Sequence, residues 1–409
     1  MASIIRDPLS SANSRSAVAY PELRVQANQR HRFRRGHPWI YNNELVNLPK
    51  DPEPGSLVVV RQDDGEFVGI GTYNRHSLLT VRLLTRRNEP IDKAFFRQRI
   101  REALELREQI YPDRTAYRLI HGESDGLPGL VVDRYGEVYV ISSNTAGMDR
   151  LLPVIVEALA EVFPATRAIV LRNDSEARKM EDLPMQVETA WGRLPNPLVI
   201  EEFGASFEVD VLTGQKTGWF FDQSENRRLF ASFAKDRQVL DTFCYTGAWA
   251  VHAARAGARE VTGVDSSPTA LKLAVRNAER NQVSGVEFIQ AKVFDFLGDW
   301  RKAGKEVDLM ILDPPPFARS KKSAVAAFKG HRDLHERALR LLRPGGILFT
   351  CSCSYHLGEE ALIDSLVQGA IESKRTVRLL EIRGAAPDHP ILPATPETRY
   401  LTCLVVRVD

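Results

Sequence analysis

From about residue 196 to the C terminus, short apolar runs alternate with longer amphipathic ones, and this alternation limits the possible folds more than any other feature of the chain. QVLDTF reads as a buried strand and AWAVHAARAG as the helix after it; EVTGVD and SPTALKLAVRNAERN repeat the pair. GVEFIQA, DLMILDP, GGILFTCSCS and RYLTCLVVRV supply further strands. The succession predicts an α/β fold built on a doubly wound, mostly parallel sheet. In such sheets ligands lie outside the carboxyl ends of the strands, so chemistry is expected in the residues just past each one.

A chain of 409 residues exceeds one core, so two or three domains are expected. Residues 1–20 read as a disordered lead-in. Residues 21–95 read as all-β, because SLVVVRQ, GEFVGIGTYN and LLTVRLLT are short β-rich runs broken by Gly, Asp and Asn. Residues 96–195 read as a linking helix and a small α/β unit. Phe95, Phe96, Ile100, Ala103 and Leu106 recur at helical spacing, and a hairpin turning at Tyr135-Gly136 precedes the amphipathic LLPVIVEALAEVF and the strand RAIVLRN. His121, Glu123, Ser124 and Asp125 read as turn and cap residues. Residues 196–409 form the alternating domain.

The net charge of +2 does not announce a nucleic-acid partner, but its distribution is uneven. Arg30, His31, Arg32, Arg34, Arg35 and His37 cluster just ahead of Pro38-Trp39-Ile40-Tyr41, and Arg319, Lys321 and Lys322 form a second group. A solvated surface is one reading of each cluster. A basic, aromatic-containing edge on a small β domain also suits RNA backbone and bases, while Trp39 and Tyr41 serve equally well as core. Four cysteines in a long chain make no disulfide framework, and Cys-x-Cys alone is no zinc site, so no metal is expected. No apolar run approaches the roughly 20 residues that span a bilayer, and no secretory core opens the chain. A cytoplasmic protein without a membrane partner is expected.

The loop Asp241-Thr242-Phe243-Cys244-Tyr245-Thr246-Gly247 joins the first strand of the alternating domain to its helix. It lacks G-x-G-x-x-G, which disfavours a dinucleotide; its glycine is expected where a side chain would block a ligand. Asp265 stands at the tip of the second strand, where a carboxylate can accept both ribose hydroxyls of an adenosine. Acid, Gly-containing turn and second acid, in that order, are the pattern of class I methyltransferases, whose cofactor is S-adenosyl-L-methionine. Thr242, Ser266 and Val293, at or just past strand ends, are counted with the cofactor residues.

Asp313-Pro314-Pro315-Pro316-Phe317 follows the strand DLMIL. Phe317 suits stacking on an unstacked base, and the basic group after it suits phosphates; a structural turn with exposed charges is the alternative. The next strand ends in Thr350-Cys351-Ser352-Cys353-Ser354. C5 of a pyrimidine is a poor nucleophile, and a thiolate added to C6 pushes electron density onto it. That chemistry needs a cysteine beside the cofactor with its pKa lowered by its surroundings. Cys351 and Cys353 are both candidates, since residues two apart on a strand share a side; a buried inert thiol is the other fate of either.

RRGHPWIYNNE, HGESDGLPGLVVDRYG, GQKTGWFFDQSENR, DTFCYTGAWA, DPPPFARSKK, CSCSYH and DHPILPATPETRYL together resemble the RlmI-type 23S ribosomal RNA 5-methylcytosine methyltransferases, over about residues 22 to 409. The resemblance implies an N-terminal PUA domain for RNA binding, a small central α/β domain and a class I methyltransferase domain. It implies Cys353 rather than Cys351 as the nucleophile, and Asp313 as the acid that engages the target cytosine. It implies that Phe221, Asp222 and Gln223 close over the cofactor. Two departures stand out: Ser224 where the family commonly has Arg after Asp-Gln, and Lys292 where an Asp usually faces the adenine. Ribosomal RNA or a ribosomal particle is the expected partner, with a homodimer left open. Guanine N-methylation without a thiol, and an RNA-binding assembly factor without turnover, are the alternative functions. A small-molecule substrate is disfavoured, because it leaves the N-terminal β domain without a purpose.

Overall fold

The computed structural model describes residues 20–26, 30–317, 324–354 and 357–409. The proposed lead-in up to residue 19, the side chains of Arg30 and His31, and the basic group Arg319, Lys321 and Lys322 lie outside the described residues. The N-terminal unit contains β1 (Glu22–Val25), α1 (Arg30–Arg34), β2 (Trp39–Tyr41), β3 (Leu57–Gln62), β4 (Phe67–Tyr73) and β5 (Leu79–Thr85). Its sheet runs β1-β3-β4-β5-β2, with β1 parallel to β3 and the remaining pairs antiparallel. Strict alternation along β3 turns Val58 and Val60 inward, where they meet Leu23, Phe33, Ile40 and Val81.

Next come α2 (Lys93–Ile110), β6 (Ala116–His121), β7 (Leu130–Tyr135), β8 (Val138–Ser143), α3 (Ala146–Val162), β9 (Ala168–Asn173), α4 (Glu176–Lys179) and β10 (Gln186–Gly192). Asp92 caps α2 by accepting the Phe95 N–H at 3.1 Å, and the predicted stripe Phe95, Phe96, Ile100 and Ala103 is buried. The sheet order is β10-β9-β8-β7-β6, with α2 and α3 packed together against it. Glu123 and Asp125 do act in a short 3-10 turn. Asp125 takes a bidentate bond from the fully buried Arg107 and also the His121 N–H at 2.6 Å.

The third unit opens with a hairpin that alternation did not reveal, β11 (Leu198–Glu202) and β12 (Ala205–Val209). It continues as α5 (Ser224–Ser232), β13 (Gln238–Thr242), α6 (Ala248–Arg255), β14 (Glu260–Asp265), α7 (Pro268–Arg280), β15 (Val286–Gln290), α8 (Val293–Lys302), β16 (Val307–Leu312), α9 (Ala324–Leu341), β17 (Leu342–Ser352), α10 (Glu359–Ser373), β18 (Val377–Arg383) and β19 (Thr402–Val408). The order is β15-β14-β13-β16-β17-β19-β18, parallel except at β19, which is antiparallel to both neighbours. One face packs Leu240, Leu312 and Leu348 under α8, α9 and α10; the other packs Val239, Ile311 and Phe349 under α5 and α6. Strand order reverses between β13 and β16, which opens a crevice above their carboxyl ends.

Candidate active site

The loops after β13, β14, β16 and β17 converge above that reversal around a cavity of about 460 Å³, within the roughly 300–1,000 Å³ of small-molecule sites. Phe220, Phe243 and Tyr245 give it aromatic walls; Asp265, Ser266, Asp313, Cys353, Lys216 and Tyr400 give it polar ones.

The loop after β13 bends sharply. Phe243 (φ 59°) and Tyr245 (φ 47°) both take left-handed backbone that costs an L residue roughly 1–2 kcal/mol. Asp265 holds it in place, accepting the Tyr245 N–H and the Ser267 N–H, each at 2.9 Å. A carboxylate has about four acceptor positions, so two remain for the hydroxyls of a ribose.

Other expected cofactor residues lie behind this wall. Asp241 is fully buried; one oxygen accepts the Ala250 N–H at 3.0 Å and the other has no hydrogen-bond partner among the described residues. Burial, with Asp313 and Asp265 nearby, drives its pKa well above the ordinary value. Thr242 donates to the Ile311 carbonyl at 2.7 Å, tying β13 to β16. Val293 packs with Phe296 and Leu297 in the core. Gly247 (φ 80°) is required for a reason other than ligand clearance. A Cβ there would meet the Phe288 ring of β15 at 2.9 Å and Ala274 of α7 at 3.0 Å, so strand and helix side chains crowd it.

Further along the wall, Asp313 accepts from Gln223 Nε2 at 3.1 Å. Gln223 accepts from Asn226 at 2.8 Å, and Asn226 from Arg383 at 2.8 Å, so a buried relay aims the carboxylate. Burial and Asp222 raise the Asp313 pKa to about 6, against Lys216, Arg227 and Gln223. Asp222 accepts from Lys216 Nζ and from the Tyr400 hydroxyl, each at 2.6 Å. Burial alone would raise its pKa, yet Lys216, His389 and Tyr400 together hold it well below the carboxylate range. Phe221 packs on Tyr135, with ring centroids 5.2 Å apart. The Phe221–Gln223 turn is buried behind the wall, and Phe220 just ahead of it reaches the cavity.

Cys351 sits within β17 opposite Cys403, sealed among Phe349 and Trp249. Cys353 lies just past the strand end, half-buried on the cavity wall. The expectation of a depressed thiol pKa does not hold. Burial pushes Cys353 up to about 11, and Asp313 and Asp222 add to the rise against Lys216. Phe317 also departs from expectation. It packs on His331 at 5.0 Å and toward Phe294 at 6.2 Å, so its ring serves the protein, and Pro315 and Pro316 reach the cavity instead.

Residues 23–86 match a family model described as a PUA-like domain, and residues 183–397 match one described as an S-adenosylmethionine-dependent methyltransferase. The ribosomal RNA large subunit methyltransferase I of Shewanella denitrificans is 39% identical across 94% of this chain and 99% of its own; that of Aeromonas salmonicida is 38% identical across 91% and 96%. The chain belongs to the ribosomal RNA large subunit methyltransferase I family. Two solved structures superpose over 95% of this family member and 100% of their own length at 22% identity. One, described as a methyltransferase complexed with SAH, gives a TM-score of 0.83; the other, described as a SAM-dependent methyltransferase from Streptococcus mutans, gives 0.81. At that identity the likeness shows the fold.

Within this methyltransferase I framework, both departures lie at the starts of helices. Ser224 is buried at the start of α5 and accepts from Arg114 at 3.5 Å, and that arginine also pairs with Glu225 at 2.6 Å. Lys292 precedes α8 as its N-cap residue without a side-chain bond to the helix. On the PUA-like unit, Arg34 and Arg35 are exposed. Trp39 is half-buried with its indole N–H donated to Glu123 at 3.0 Å, which makes it a tether between units rather than a free stacking platform. Lys216 and Tyr400 escaped the residue-by-residue reading. Their only sequence signal was membership in the segments GQKTGWFFDQ and ETRYL. Among the described residues, no helix is long and apolar enough to cross a membrane.

Proposed function

We propose that this chain methylates C5 of a cytosine in large-subunit ribosomal RNA, with S-adenosyl-L-methionine as donor and Cys353 as nucleophile. One observation carries the reading: of the two cysteines on the cavity wall, Cys353 is only half-buried on a wall shared with Asp313, whereas Cys244 is buried, with burial, Asp241 and Asp265 driving its thiol pKa well up, and Cys351 and Cys403 are sealed in the sheet.

The site fits the cofactor. Asp265 keeps acceptor capacity for ribose hydroxyls, the aromatic walls suit an adenine ring, and the volume suffices. When bound, the sulfonium supplies an electrophilic methyl group. Cys353 Sγ adds to C6 of the cytosine and makes C5 nucleophilic toward that methyl group. Asp313, ionised above about pH 6, accepts a hydrogen bond from the exocyclic amine and orients the ring. After transfer, the C5 proton passes to water, its electron pair re-forms the C5–C6 double bond, and the S–C6 bond breaks with its pair returning to sulfur. The target base must leave its stack to enter the cavity. Arg34 and Arg35 on the PUA-like unit contribute backbone affinity, which sets register rather than chemistry.

The test is to map 5-methylcytosine across ribosomal RNA from cells lacking the gene, complemented with wild type or Cys353→Ala. One cytosine methylated with wild type and bare with the variant supports the reading. A methylated guanine in its place, or full methylation by the variant, rejects it.

A further inference from the structure

Lys216 occupies left-handed backbone (φ 50°), which an L side chain rarely adopts and glycine adopts freely. The residues on either side hold it there. The Gln215 N–H donates to the Tyr245 hydroxyl at 2.8 Å, and the Tyr135 hydroxyl donates to the Thr217 carbonyl at 3.0 Å. The Thr217 hydroxyl donates to Asp133. Tyr245 belongs to the bent loop after β13, whereas Tyr135 and Asp133 belong to β7 of the central sheet. Two units of the molecule thus impose one strained conformation.

The strain places a charge. The Lys216 ammonium lies 2.6 Å from Asp222, which Tyr400 also bonds at 2.6 Å, and 4.3 Å from the centroid of the Phe220 ring. Lys216, Tyr400, Asp313 and Cys353 line one cavity. The structural pair with Asp222 does not by itself require this backbone, since a lysine side chain is long and flexible. What the bend adds is a cation fixed at the wall where a thiolate must form.

We propose that Lys216 stabilises the Cys353 thiolate, acting through that sulfur rather than on the base. The inference rests on Cys353 being the nucleophile. In the step, the S–H bond breaks and its proton passes to water at the cavity mouth. The electron pair stays on Sγ, on the wall that also carries the ammonium, until it forms the S–C6 bond. Among the groups acting on Cys353, Lys216 is the foremost cation, and Asp313 and Asp222 oppose it. Arg227, Cys244, Tyr245, Asp265 and Tyr400 complete the charged and titratable groups of the wall. Asp222 has two roles: it holds the ammonium in place, and it is an anion facing the sulfur.

The experiment reads the thiol without RNA. The full-length chain is alkylated with iodoacetamide between about pH 7 and about pH 12, and modification of Cys353 is followed by peptide mass spectrometry. Lys216→Met should raise the midpoint by about one unit, a roughly tenfold slower reaction at pH 8. Lys216→Arg should restore it, and Asp222→Asn, whose amide oxygen still accepts from the ammonium while the opposing charge is gone, should move it downward. Opposite shifts from the two charge removals cannot come from general loosening of the fold. An unmoved midpoint in Lys216→Met, or shifts of the same sign in both, overturns the inference. Cys353→Ala, assayed separately for methyl transfer, keeps the two readings apart. Retained methylation there ends the nucleophile reading. Lost methylation with an unmoved Lys216→Met midpoint ends the Lys216 assignment alone.

Discussion

Replacing Glu202 by glutamine removes a charge that three elements share. Glu202 ends β11 and accepts from Arg227 at 2.7 and 2.6 Å and from the Trp219 indole at 3.0 Å, with His252 Nε2 at 3.1 Å. All four side chains are buried. Burial alone would raise the Glu202 pKa, but Arg227 and His252 hold it well below the usual range. Glutamine keeps the shape and leaves the Arg227 guanidinium buried without a counter-ion, at a cost of about 3–5 kcal/mol. For a unit of about 200 residues, each kcal/mol is worth about 2–4 °C, so Tm should fall by about 6–20 °C in scanning calorimetry. Adding Arg227→Met removes the stranded charge, and the double variant should be more stable than Glu202→Gln alone. The pH dependence has a definite sign. The folded pKa is depressed, so this stability is present above the unfolded value of about 4.3 and lost as pH falls toward the folded one; the variant should lack that acid-side loss. A Tm within about 2 °C of wild type, or a double variant weaker than the single, refutes the reasoning. Trp219 and Arg227 also line the cavity, so cofactor affinity should fall with stability.

Removing the Gln223 bond should raise the Asp313 pKa above about 6, so Gln223→Ala should move the acid limb of the methylation rate upward; an unmoved limb detaches Asp313 from that limb. Gly247→Ala should cost about 2–4 kcal/mol in denaturant unfolding, from left-handed strain plus the clash with Phe288 and Ala274; a loss below about 1 kcal/mol means that the loop relaxes freely. Arg34→Ala with Arg35→Ala should weaken RNA binding without changing the methylated position. It should also flatten the plot of log affinity against log salt by about 0.7–0.9 per lost phosphate contact, and an unchanged slope places the RNA elsewhere.

The alternation that defined the third unit was legible because parallel strands are buried on both faces and read as continuous apolar runs. Two of the strands that the pattern does not mark lack that burial. β10 is exposed at all seven positions, and β18 is exposed along most of its length at the sheet edge. The cavity lining was legible where it sits at strand ends, as at Asp265, Asp313 and Cys353. It was not legible where function depends on contacts distant in sequence. Trp39 lies 84 residues from the Glu123 that occupies its indole. Phe317 folds onto α9 rather than into the cavity, and Lys216 takes its conformation from Tyr245 and Tyr135. The thiol pKa of Cys353 was misjudged for the same reason, since burial and two carboxylates are properties of the assembled wall.

A target RNA carrying 5-fluorocytidine probes the sulfur–carbon bond most directly. Fluorine cannot leave C5 as a proton does, so the S–C6 bond has no route to break after methyl transfer. With S-adenosyl-L-methionine present, wild type should form a denaturant-stable protein–RNA complex whose cross-linked peptide carries the nucleotide on Cys353, and Cys353→Ala should form none. A complex formed equally by that variant, or turnover of the fluorinated RNA with no adduct, contradicts thiolate catalysis at this site.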